Sequence, residues 1–318
     1  MDNLGAYIGP AAGITTSILW TATSLLFTAG GKRIGATAVN VFRIWLAVAL
    51  LGITHRLWFG SWFPETVGNQ VLYLGLSGVI GLSIGDQALF TAFVHIGPRL
   101  SMLIMATSPI FATLFGWIGL GETLAPLSFV GMGLTIFGVA WVVLERQPTV
   151  PTTDRSHRGR GVFYAFVGAA CQAGGLLLSK QGIGHGWLPA EAHMNPQAAA
   201  YVRMIFAGLG VLPILALHLA RRRKRLAAGV ESPTYGSTRT GYIFAACGAF
   251  VGPFLGMWMS LVAVNYAKMG VAQTLCSLSP VFILPFAIGI HKERIGPRAA
   301  IGAVIAVGGS AMLFLNPR

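Results

Sequence analysis

Four ionisable side chains fall inside long apolar runs of this sequence: Arg43 in NVFRIWLAVALL, Asp86 in GLSIGDQALF, Lys180 in GLLLSKQGI and Arg203 in AYVRMIFAGLG. A charge at the centre of a membrane helix costs about 2.5–3.5 kcal/mol on insertion scales, so each retained one needs a partner or a wet cavity. Asp86 and Arg43 fall at similar depths in their runs and can pair. That pair is either structural or a gate whose carboxylate responds to protons. Lys180 and Arg203 have no carboxylate within their own runs. Either they snorkel to the headgroups, or they face a cavity and attract the carboxylate or phosphate of a solute. Trp20 and Gln172 lie near the middle of the first apolar run of each half of the chain. The Trp reads as packing or as cavity wall; a Gln in lipid needs a partner and so should face a polar cavity or another helix. These six residues are the candidate solute-binding set.

Nothing here resembles an enzyme centre. The seven histidines are scattered, and there is no H-E-x-x-H, C-x-x-C or phosphate-loop pattern. No cofactor or metal is expected, and coupling to a proton or ion is left open. Cys171, Cys247 and Cys276 all fall in apolar segments and read as packing residues.

The elements that must position these groups follow from composition. The 318 residues are 54% hydrophobic and 10% charged, with mean hydropathy +0.70; soluble domains carry about 25% charge. The chain is therefore a multi-pass membrane protein. Apolar runs at 7–29, 37–58, 70–93, 99–119, 125–144, 161–181, 197–219, 241–264, 270–290 and 297–315 give ten spans. All should be helices, because lipid leaves no partner for an open strand edge. The N-terminus lacks the basic region of a signal peptide, so the first span is expected to be retained.

A shift of 171 residues aligns 81–144 with 252–315 without a gap and gives 13 identities in 64 positions. Matched residues include Ser108-Pro109 with Ser279-Pro280, Glu122 with Glu293, Gly131 with Gly302 and Gly138 with Gly309. Upstream, after loop insertions, Arg43 pairs with Arg203. The fold class expected is an all-α membrane protein of two five-helix repeats, 1–146 and 161–318, joined by a cytoplasmic linker at 147–160. An odd number of helices per repeat inverts the second half, a construction common in secondary transporters. Pro109 and Pro280, central in the fourth and ninth spans, are candidate hinges that free the carbonyls of Met105 and Cys276. Gly81/Gly85 and Gly252/Gly256 read as helix contacts, and Glu122 and Glu293 as caps of the following helices.

Each half carries a Ser-Pro-[Ile/Val]-Phe segment followed by Glu, Pro and spaced Gly: SPIFATLFGWIGLGETLAPLSFVGMGLTIFG and SPVFILPFAIGIHKERIGPRAAIGAVIAVGG. This resembles the EamA repeat of the drug/metabolite transporter superfamily, present twice over nearly the whole chain. Arg43, Arg203, Trp20 and Lys180 resemble the family pattern too. The resemblance implies alternating-access movement, in the export direction, of an amino acid or another solute bearing an anionic group. A flippase of lipid or lipid-linked sugar, or a non-transporting scaffold or sensor, remains the alternative. The partners expected are a small solute and the bilayer, not nucleic acid, and a monomer is compatible with the sequence.

Members of that family usually place both termini in the cytoplasm, whereas the charges here point the other way. Outside the spans, 16 Lys and Arg lie in loops 1–2, 3–4, 5–6, 7–8 and 9–10, against three on the side of the termini. The positive-inside rule puts those loops in the cytoplasm and both termini outside, in a plasma membrane that is expected to be a bacterial inner membrane. A reporter fused after Arg318 should therefore read as periplasmic and one inserted at Ala228 as cytoplasmic; the reverse result would reject the charge argument.

Overall fold

The computed structural model describes residues 5–143, 155–186, 188, 192–227, 237–283 and 297–315. The described residues are helical, without strands. Eight helices are long and apolar enough to cross a membrane, and two shorter apolar ones, Met269–Ile283 and Ala300–Leu315, complete ten segments. Glu293 and most of the expected linker lie outside the described residues.

The elements are α1 (Gly5–Ile34), α2 (Ala36–Phe59), α3 (Gln70–Ser77), a π-helical segment (Gly78–Ile84), α4 (Gly85–Met105), α5 (Ser108–Leu120) and α6 (Pro126–Val143). The second half holds α7 (Arg155–Ile183), α8 (Pro196–Ala227), α9 (Thr238–Ala249), a π-helical segment (Phe250–Gly256), α10 (Met257–Tyr266), α11 (Met269–Cys276) and α12 (Pro297–Leu315). With 32 residues, α8 is about 48 Å long at 1.5 Å per residue, well beyond a core of about 30 Å. Its excess carries the basic run at 221–225 out of the apolar zone.

The third and fourth spans run Gln70–Leu89 and Ser101–Leu120, close to the expected 70–93 and 99–119. His95 and Ile96 lie against Gly161, while Leu89 and Met105 both lie against Gly168, so both spans pack along α7. The expected kink at Pro109 is a full break. α4 ends at Met105, Ala106 and Thr107 turn, and Pro109 begins α5, where its missing N–H costs nothing. The ninth span breaks in the same way: α11 ends at Cys276, and Pro280 follows the turn at Ser277–Leu278.

Antiparallel contacts between equivalent helices establish the inversion. On α2 and α8, Trp45 lies against Gly208, Gly52 against Tyr201 and His55 against Gln197. On α6 and α12, a Cβ built at Gly138 would stand 2.5 Å from the Gly302 carbonyl oxygen, and one at Gly309 would stand 2.6 Å from that of Gly131. Since Gly131 matches Gly302 and Gly138 matches Gly309, each repeat presents the same glycine pair to the other across a two-fold axis. The first helices are exchanged. α1 packs along α9, α10 and α11, whereas α7 packs along α3, α4 and α5. Gly252 and Gly256 meet Thr23 and Trp20 of α1, while Gly81 and Gly85 meet Gly175 and Cys171 of α7. Cys171 and Cys276 are half-buried; Cys247 is exposed on the outer surface, which corrects its reading as a packing residue.

Close backbone approach predicts a position-specific cost. Gly138→Ala should lower the melting temperature of the purified protein, because the methyl displaces backbone atoms of α12, an overpacking cost of about 1–3 kcal/mol. Gly133→Ala, with nothing within 4 Å, should leave it unchanged or raise it through helix propensity. Equal effects in thermal unfolding would refute the packing account.

Candidate functional site

Two buried clusters of charge stand apart in the molecule. The first joins α2, α4 and α8. Arg43, on α2, donates from Nη2 to Oδ2 of Asp86 at 2.6 Å and from Nε to Oδ1 of Asn40 at 2.8 Å. Its guanidinium also lies 5.4 Å from the Phe27 ring centroid. Asp86 reaches this position because it begins α4 directly after the π-helical segment, whose wider turn re-aims the residues that follow. Arg203 approaches the same region from α8. A Cβ built at Gly81 would stand 2.9 Å from its Nη2, so the guanidinium lies directly against this helix. Arg203 is 3% exposed, and its Nε has no hydrogen-bond partner among the described residues. Gly81 precedes Asp86 by five residues, about 7.5 Å along a helix, so the contact at Gly81 brings Arg203 to the neighbourhood of the Arg43–Asp86 pair. Asp86, Arg43 and Arg203 therefore form one group, although their sequence depths had separated Arg203 from the other two.

The second cluster ties three elements together at one end of the bundle. Lys180, near the end of α7, donates to Oε1 of Glu122 at 2.6 Å and to the Ala267 carbonyl at 2.7 Å. Oε2 of Glu122 accepts the backbone N–H of Met269 at 2.7 Å, and Lys268 donates to the Thr123 carbonyl at 2.5 Å. Two corrections follow. Lys180 is not an unmatched cation. Glu122 caps α11 of the other repeat and not the helix that follows it, because the fold brings the two inter-helix turns together. His185, just beyond α7, accepts or donates across 2.9 Å to Asn265. Burial holds its imidazole below the usual histidine range; the Asn265 contact opposes this, and nearby Lys180 adds to it.

The remaining candidates are dispersed. Trp20 is half-buried on α1, with its Nε1 beside Gly256 at the end of the second π-helical segment. Gln172 is half-buried on α7, next to the Cys171 that touches Gly85. The two broken spans meet near the centre, where Pro109, Ala106, Thr274 and Ser277 line a void of about 10 Å³, room for about one water. Gln273 crosses between the repeats and donates to Ser108 at 3.1 Å. Sequence reasoning passed over Gln273. A polar amide within an otherwise apolar run was the signal available, the same one that singled out Gln172. The paired π-helical segments left no comparable trace, because hydrophobic pattern does not distinguish π from α winding.

Comparison with known proteins agrees with this architecture. The model of the EamA-like transporter family matches residues 7–144 and 159–315, once in each half. A solved crystal structure superposes with a TM-score of 0.72 at 16% identity, covering 98% of this chain and 97% of that one, which shows a common fold. A protein of Chlamydia trachomatis serovar L2, named as an S-adenosylmethionine/S-adenosylhomocysteine transporter, is 26% identical over 153 residues, 45% of each chain. One of the same name from Chlamydia muridarum is 25% identical over 118 residues, 36% of each chain. The match thus spans less than half the length of these curated relatives. With the family model covering both repeats, the chain belongs to the EamA-like transporter family.

Proposed function

We propose that this transporter moves a small solute bearing an anionic group, an amino acid or an amino-acid-like metabolite, by alternating access between its two repeats. The observation that carries this reading is Arg203, a buried guanidinium whose Nε has no partner. An unmatched Arg is costly in a membrane interior, and its planar fork of donors suits a carboxylate in bidentate geometry. S-adenosylmethionine and S-adenosylhomocysteine, named for the Chlamydia relatives, each carry an amino-acid carboxylate and so provide the first probes. Net export is the direction the family resemblance favours, with the basic loops in the cytoplasm.

A second reading, movement of a lipid, is favoured by one feature. An open apolar groove of about 400 Å³ runs between α2, α8 and α9, lined by Ala38, Val41, Phe42, Trp45, Leu215 and Tyr242. Its walls hold no charged residue, so it suits an acyl chain and not the polar part of a metabolite.

Proteoliposomes separate the two. The parent protein should carry radiolabelled S-adenosylhomocysteine, and Arg203→Gln should reduce its flux at least tenfold with melting temperature nearly unchanged. Glu122→Gln should act differently: weakening a buried ion pair costs stability, about 3–5 kcal/mol when one partner is lost, so its melting temperature should fall. Unaltered flux in Arg203→Gln, or scrambling of a fluorescent phospholipid without solute flux, would reject the proposal.

A further inference from the structure

We infer that Asp86 sets the charge of the transported solute: it neutralises one of two symmetry-related arginines and leaves the other able to accept a single negative charge. This rests on the reading of Arg203 as the solute's anchor. Arg43 and Arg203 hold equivalent places on α2 and α8, as the repeat requires. The carboxylate is not duplicated, since the 171-residue shift places Met257 opposite Asp86. One buried acid therefore serves two buried bases.

The geometry distinguishes the two arginines. Arg43 is engaged on two sides, by Asp86 at 2.6 Å and Asn40 at 2.8 Å. Arg203, 3% exposed, has an Nε without a partner. The other intramembrane cation, Lys180, is already neutralised by Glu122. The group of Arg43, Asp86 and Arg203 thus carries one uncompensated positive charge. A monoanion at Arg203 completes the balance. A dianion would leave a negative charge in a low-dielectric interior, within the field of Asp86, and both effects oppose its entry. The site should favour carboxylates over phosphate monoesters and sulfate, although an isolated arginine fork accepts all three. Asp86 is on this account a specificity-determining residue that acts through the balance of charge and not by touching the solute.

Charge-count variants of the full-length protein test this with small probes. Thermal unfolding of the purified chain is followed in sodium acetate and sodium sulfate at constant ionic strength. The parent should be stabilised by acetate at lower concentration than by sulfate, and Arg203→Gln should lose both responses. Asp86→Asn raises the local charge to two and should respond to sulfate at least tenfold more sensitively than the parent. Arg43→Gln/Asp86→Asn restores the count to one and should return to the parent's preference for acetate. If the single Asp86→Asn variant fails to fold, the double variant still decides: a preference for sulfate there overturns the inference. So does an unchanged anion order in Asp86→Asn. Retention of the anion response in Arg203→Gln would reject both the inference and the anchor on which it rests. Absence of S-adenosylhomocysteine flux with these anion preferences intact would reject only the proposed solute.

Discussion

Inside hydrocarbon every backbone N–H, every carbonyl and every charge must find its partner within the protein, because no water waits to take its place. The breaks in the fourth and ninth spans exist only under that condition. Ser17 of α1 donates to the Leu275 carbonyl at 2.6 Å and accepts the N–H of Leu278 at 3.1 Å, bridging the groups that the turn leaves open. Ser279 returns a bond to the Ser17 carbonyl at 3.0 Å. At the equivalent break, Thr107 donates to the Ile104 carbonyl and Ser108 to that of Ala169 on α7. A broken span is thus possible where the exchanged first helix of the opposite repeat lies against it.

That exchange determines which parts of the molecule belong together. α1 is part of the first repeat by sequence but lies in the second by contact, and α7 does the reverse. Each side of the bundle therefore contains helices from both repeats, so neither repeat can bury its own polar groups alone. The close packing depends on glycine, since lipid tails are as apolar as leucine and supply little drive for helices to associate. At Gly175 and Gly81 the backbones themselves are in contact. Dispersion between closely approaching backbones replaces the hydrophobic effect there.

The two buried ion pairs serve different ends. Desolvation of both partners offsets much of their attraction, so neither is strong evidence for added stability. Lys180 and Glu122 join the end of α7, the α5–α6 turn and the α10–α11 junction, and so fix how those elements meet. Arg43 and Asp86 join α2 to α4, beside an arginine whose Nε is unsatisfied. Arg203 stands beside that pair with an unsatisfied buried Nε, which is why the cluster of Arg43, Asp86 and Arg203 is the place to look for a solute.

The sequence by itself determined the membrane class, the ten apolar segments and the repeat, because length, hydropathy and matched Ser-Pro, Glu and Gly positions are local or periodic signals. It also identified the four intramembrane charges, since any ionisable residue in an apolar run stands out. The pairing of Arg43 with Asp86 was legible because both depths could be counted along single helices. What the sequence did not reveal was which helices lie side by side. Lys180 meets Glu122, and Arg203 approaches Asp86, only because α7 is exchanged and α8 passes Gly78 at backbone distance. The two π-helical segments likewise depend on how neighbouring helices press on the chain. Such contacts join residues more than 50 positions apart, and their geometry follows from packing in three dimensions, which no linear pattern of polar and apolar residues encodes.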